Sequence, residues 1–76
     1  MRELLEFLAR ALVDDPEQVT VTQVEGERSV ILQLRVGPED TGKVIGKNGR
    51  IAQALRTVIK AVATKEGRSA IVEILD

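Results

Sequence analysis

Histidine, cysteine, tryptophan and tyrosine are absent from this chain of 76 residues, and Phe7 is its only aromatic side chain. Without cysteine there is no disulfide and no thiolate metal site. Without histidine or cysteine the commonest general bases and thiol nucleophiles are missing, so Ser29 and Ser69 have no imidazole to activate them. Carboxylates are plentiful, but most fall on expected helix surfaces or turns, and Asp14-Asp15 before Pro16 reads as a helix exit rather than a paired acid and base. Neither an enzyme nor a bound metal or cofactor is expected. No apolar run approaches 18 residues, so no membrane span is expected. The opening Met-Arg-Glu-Leu-Leu-Glu sets acids inside the first apolar stretch, against a secretory signal. A cytoplasmic location is the plain expectation.

What is present points to one small folded domain spanning residues 1–76. Apolar residues make up 43% of the chain and charged residues 30%, a balance that suits a soluble globular fold. A core at this length is only just sufficient. The formal net charge of −1 hides a segregation along the chain. Residues 1–40 hold four basic groups and nine acidic ones, whereas residues 41–68 hold seven basic groups (Lys43, Lys47, Arg50, Arg56, Lys60, Lys65, Arg68) against Glu66 alone. The overall balance argues against indiscriminate nucleic-acid binding, and the basic block argues for a focused anionic partner.

Periodicity places the elements. Leu4, Leu5, Leu8, Ala11 and Leu12 recur at helical spacing and predict a helix over about residues 2–13, ended before Pro16. Val19 and Val21 with their threonines suggest a short strand. Glu25-Gly26 is a turn, and Val30, Leu32, Leu34 and Val36 alternate with Ile31, Gln33 and Arg35 as the second arm of a hairpin. Pro38 suits the first position of a short helix running to Ile45. A longer helix is predicted from Arg50 to about Thr64, with Ile51, Leu55, Val58, Ile59 and Val62 on its apolar side and Gly67 as its C-terminal cap. Residues 69–75 form a third strand. The hairpin strands are antiparallel, and the two-helix crossover makes the second and third parallel. The expected class is α+β in the order αββααβ, a three-stranded mixed sheet with three helices on one face.

Between the two consecutive helices lies Val-Ile-Gly-Lys-Asn-Gly-Arg-Ile, residues 44–51. Glycines three apart allow a sharp turn and the close approach of another backbone. The helix starting near Arg50 aims its unpaired N–H groups and positive dipole end at that turn. Such a site suits a sugar-phosphate backbone. A nucleotide-binding P-loop is excluded on spacing, because Gly42 and Gly46-Lys47 have three residues between them instead of four and Asn48 stands where a hydroxyl is required.

This order, with a GxxG loop between its consecutive helices, resembles the type II (prokaryotic) KH domain over essentially the whole chain. More narrowly, GKNGRIAQALRTVIKA after the hairpin resembles the small bacterial single-KH-domain proteins of the KhpA type. The resemblance implies single-stranded RNA binding in the cytoplasm, as an RNA chaperone or post-transcriptional regulator. It also implies a homodimer, or a heterodimer with a larger Jag-type KH protein. Carried onto this chain, Gly46 and Gly49 admit the RNA backbone, Lys47 and Asn48 meet phosphate or sugar, and Arg50 adds charge at the helix start. Lys43 flanks the same strand. Bases turn toward an apolar groove walled by Val44, Ile45, Ala52 and Leu55 and floored by Ile71 and Val72, with Lys65 and Arg68 closing its far side. Many members carry a large aliphatic residue three places after the second glycine; here that place holds Ala52, with Ile51 one earlier. With Phe7 the sole aromatic, bases are not expected to stack on protein rings.

A protein-interaction module that keeps the fold without using the groove is the competing expectation. Ile31 with Ile71 and Leu75 forms its surface on the open sheet face, extended by the helix face bearing Leu5 and Leu12. Under that reading Arg56, Lys60 and Lys65 are only a solvated helix face. The lysine inside the GxxG favours the nucleic-acid reading.

Overall fold

Alternating apolar residues in the second predicted strand form the centre of the molecule. The computed structural model describes residues 1–75. It runs α1 (Arg2–Leu12), β1 (Thr20–Glu25), β2 (Ser29–Arg35), α2 (Thr41–Ile45), α3 (Arg50–Lys65) and β3 (Ser69–Leu75), the order expected. The strands lie β1-β2-β3, so β2 is central and both neighbours present a free edge. β1 and β2 are antiparallel with Val21 opposite Leu34, and β2 and β3 are parallel with Leu32 opposite Val72.

Period-two alternation divides the sheet into two faces. Val30, Leu32 and Leu34 of β2, with Val21, Ala70 and Val72, turn toward the helices and are buried. Leu5 and Ala9 of α1, Val44 of α2, and Leu55, Ile59 and Ala63 of α3 meet them there. Leu5, Leu32, Leu34, Ile59, Val30 and Val44 are shut off from solvent completely. Each such side chain contributes about 1.5–3 kcal/mol, which in so small a domain makes every one of them matter. On the other face Val24, Ile31 and Ile71 share one register row across all three strands. Two expectations are corrected here. Leu5 cannot extend the open face, because it is fully buried in the helix layer, and Leu12 is exposed on the side of α1 that faces α3. Ile71 cannot floor a groove beneath the helices, because it is half-exposed on the opposite side of the sheet.

The predicted helix over Pro38–Ile45 is split. Pro38–Asp40 forms a 3-10 turn and only Thr41–Ile45 is α-helical. The cause is Asp40, whose buried carboxylate reaches back to accept the Asp15 N–H at 3.0 Å and the Lys43 ammonium at 3.2 Å. That contact ties the exit of α1 to the start of α2. At the far end, Gly67 takes φ +72° and Arg68 donates its N–H to the Ala63 carbonyl at 2.9 Å. This is the glycine-capped stop the sequence predicted.

Candidate nucleic-acid interface

The two glycines of the loop do different work. Gly46 ends α2 at φ +77°, ψ 173°, a conformation essentially restricted to glycine. A Cβ there would stand 2.6 Å from Ile51 Cγ1 and 2.9 Å from Ile51 Cβ. Gly46 is thus the surface on which Ile51, in the first turn of α3, folds back, and the pair sets how α2 meets α3. Gly49 is left-handed at φ +73°, ψ 15°, yet a Cβ on it would meet nothing within 4 Å. It leaves the outer side of the loop open. Between them Asn48 is also left-handed at φ 58°, a conformation asparagine tolerates better than most side chains.

The result is an exposed turn, Lys47–Gly49, closed by the Gly49 N–H on the Gly46 carbonyl at 3.1 Å. The opening N–H groups of such a turn have no partner inside it, and the positive end of the 16-residue α3 lies directly behind. Lys47 and Arg50 are exposed and, among the described residues, neither takes part in an ion pair. Positive charge, free donors and an unobstructed face coincide at this point.

Two of the expected cations are committed elsewhere. Lys43 sits between Asp14 at 2.9 Å and Asp40 at 3.2 Å, pointed at the α1 exit instead of along the loop. Its hydrogen bonds to Asp14 and then Asp40 raise its pKa above the ordinary lysine value. Burial alone would raise the Asp40 carboxyl, but hydrogen bonds from the Asp15 N–H, Lys43 and the Asp14 N–H outweigh it and hold the pKa below the usual value. Arg68 pairs with Glu25 at 3.1 Å, over the hairpin end. A hydrogen bond from Gln23, then those and the charge of Arg68, lower the Glu25 pKa. Lys65 is exposed at the far end of α3, about 22 Å along the axis from Arg50 at 1.5 Å per residue.

The expected groove walls are partly redistributed. Val44 is fully buried, and Ala52 and Leu55 are nearly so, because all three face the core. Ile45 is the exception, exposed beside the loop. On one flank of α3, Ile51, Ala54, Leu55 and Val58 face Leu8, Ala11 and Leu12 of α1 across an apolar cavity of about 410 Å³, with Arg50 at its rim. Helical geometry sends Gln53, Arg56 and Lys60 to the other flank, away from α1 and over the free edge of β3. There the half-buried Arg56 donates from Nε to the Val72 carbonyl at 3.2 Å.

Sequence reasoning passed over Gln53 and Arg56 as candidate site residues. The signal was available, since 53, 56 and 60 follow helical spacing from Gly49 on the flank opposite the apolar stripe. Only the position of β3 brings Arg56 of that flank to the Val72 carbonyl.

Comparison with known proteins places the chain. The family model described as KhpA/KhpB, KH domain, matches residues 2–74. A protein of Clostridium acetobutylicum named RNA-binding protein KhpA is 60% identical over 75 residues, covering 99% of this chain and 100% of the relative. Proteins of the same name from Treponema pallidum and Aquifex aeolicus are 57% and 47% identical, covering 97% and 100% of this chain and 92% and 96% of theirs. Among solved structures, Aquifex aeolicus Era bound to GDP.AlF4- superposes with a TM-score of 0.65 at 18% identity. Era in complex with MgGDPNP and nucleotides 1506–1542 of 16S ribosomal RNA does so at 0.55 and 19%. Both matches cover 96% of this chain and 28% of the other, and they show the fold.

Proposed function

The chain belongs to the KhpA/KhpB family of KH domains, and on that premise we propose that it binds single-stranded RNA at the Gly46–Gly49 loop. The observation that carries the proposal is the outward-open Gly49, flanked by Lys47 and Arg50 at the start of α3, both unpaired among the described residues. Its relatives' names, RNA-binding protein KhpA, support the same reading. In it the sugar-phosphate backbone lies against the loop, where a KH module clamps about four nucleotides. The turn's free N–H groups, Lys47 and the dipole of α3 meet phosphate, and Asn48 meets phosphate or sugar. Bases then turn along α3 toward the β3 edge, beside Ile45.

With no aromatic platform near the loop, recognition rests on charge, groove shape and hydrogen bonds to base edges. One such domain binds weakly, and a second RNA-binding module in the same assembly raises the apparent affinity without new contacts. We place the activity in the cytoplasm, as that of an RNA chaperone or post-transcriptional regulator. Among the described residues no helix is long and apolar enough to cross a membrane.

The test is fluorescence anisotropy with a short unstructured labelled RNA at two salt concentrations, comparing the protein with its Lys47→Asp, Asn48→Asp variant, whose fold is verified by circular dichroism. Binding that weakens with salt and disappears in the folded variant is expected. Equal binding by both proteins refutes the loop as clamp. A second reading, a protein-docking module, draws on the apolar cavity between α1 and α3. In that reading a second copy or a larger KH protein covers Leu8, Leu12 and Val58, and the cavity meets the loop only at Arg50 and Ile51.

A further inference from the structure

The two edges of the sheet differ in how they are protected. At β3 the outward Val72 carbonyl is occupied by Arg56 at 3.2 Å. β1 pairs with β2 alone and carries none of the devices that blunt an open edge. Its sequence, Thr-Val-Thr-Gln-Val-Glu, has no lysine and no proline, and its register with β2 runs unbroken from Thr20 to Glu25. The one charge, Glu25, sits at the strand's end and is paired with Arg68 at 3.1 Å. The remainder is mostly valine and threonine, which favour extended pairing. The hairpin turn fixes which backbone groups are free. Gly26 donates its N–H to the Ser29 carbonyl at 2.8 Å and so faces β2. Bonding sides alternate along an antiparallel strand, so Thr20, Thr22 and Val24 also face β2, and Val21 and Gln23 direct their N–H and C=O groups off the sheet.

We propose that this edge pairs antiparallel with β1 of a second copy of the chain, about a two-fold axis at Thr22, to give a continuous six-stranded sheet. Val21 and Gln23 then exchange backbone hydrogen bonds with Gln23 and Val21 of the second copy, and both helix layers stay on one side. On the open face Thr22 meets Thr22 and Thr20 meets Val24, β-branched pairs that suit a sheet. An axis at Gln23 is disfavoured, because it sets the Glu25 carboxylate beside the buried Val21. Charge identifies the occupant as a second copy. α1 packs over β1, and α3 over β3. Helical spacing puts Glu3, Glu6 and Arg10 on the flank of α1 opposite Leu8 and Leu12, which face α3. That flank overhangs the free edge of β1. The two-fold axis sets the two α1 helices antiparallel, which brings Arg10 of each toward the acidic Glu3 and Glu6 of the other. The α1–α3 cavity lies on the opposite flank of α1 and stays uncovered.

The experiment is sedimentation equilibrium of the full chain from about 10 μM to 1 mM, a range suited to the weak dimer that so small an interface makes. The mass should rise from one chain toward two. Gln23→Pro removes an outward N–H at a position where an edge strand tolerates proline, and should raise the dimer dissociation constant by at least ~10-fold with an unchanged circular dichroism spectrum. A second measurement does not depend on that variant folding. The chain has no cysteine, so a single introduced one bridges only between copies. Thr22→Cys places the thiol on the axis, in a pair without mutual hydrogen bonds whose side chains lie close enough for a disulfide. On addition of diamide it should form a covalent dimer much faster than Thr20→Cys, whose position faces Val24. A mass of one chain throughout the range overturns the proposal, and so do equal oxidation rates for the two cysteine variants. A dimer of native strength in folded Gln23→Pro overturns it as well and moves the self-contact to another surface, such as the α1–α3 cavity.

Discussion

Replacing Gly46 with alanine tests the claim that the two loop glycines have separate tasks. At φ +77°, ψ 173° an alanine is strained by about 1–3 kcal/mol. The new methyl must also displace Ile51, whose Cγ1 would be 2.6 Å away, and overpacking of that kind costs about 1–3 kcal/mol more. The sum, about 2–6 kcal/mol, is a large share of the roughly 4–11 kcal/mol available to a chain of this length. Gly49→Ala carries only the left-handed penalty of about 1–2 kcal/mol, reduced by the smaller entropy of its unfolded chain, and meets no atom. Urea unfolding followed by circular dichroism measures both. The expected order is a much lower midpoint for Gly46→Ala and a modest shift for Gly49→Ala. A double-mutant cycle sharpens it: Ile51→Ala in the Gly46→Ala background removes the contact with Cγ1 and leaves the one with Cβ at 2.9 Å, so the pair should lose less than the two single changes together. Equal losses at the two glycines, or strict additivity with Ile51, would refute the division of labour.

In the helix layer, Leu5→Ala should cost about 2–5 kcal/mol by opening a cavity in the core, whereas Phe7→Ala, exposed two residues away, should stay within about 0.5 kcal/mol. Comparable urea midpoints for the two would show that α1 faces the sheet differently. The depressed Asp40 pKa gives a pH signature. Because the folded value lies below the unfolded one, near 3.9, Asp40 contributes stability above that range and loses it as pH falls through the folded pKa. Urea midpoints collected from neutral pH downward should therefore fall for the native protein below about pH 4 and fall less for Asp40→Asn, which starts lower. An identical acid profile in the variant would show that the α1–α2 tie does not depend on the Asp40 charge.

Helix and strand periods carried most of the fold. α1, β2, α3 and β3 each hold one unambiguous period, and the two-residue-period strand has the central, doubly flanked place that its three fully buried side chains require. Gly67 was legible because a glycine just past a helix has one common use. The split at Asp40 was not, since it depends on a hydrogen bond from Asp15, 25 residues earlier in the chain. The same holds for Lys43 and Arg68. From sequence each is a cation near a glycine loop or at the end of a helix; in the fold each has a carboxylate from a distant segment within 3.1 Å.

By itself, the sequence determined the element order, the antiparallel hairpin, the parallel crossover and the place of the GxxG turn, because these follow from local periodicity and connection length. It also determined that positive charge gathers around that turn. Only the tertiary structure decided which of those charges are available, which loop glycine is packed and which is open, and that Arg56 overhangs a strand edge. Those outcomes depend on distances between segments far apart in the chain. Nothing in the local pattern encodes that Ile51 rests on Gly46, or that β3 lies beside the polar flank of α3.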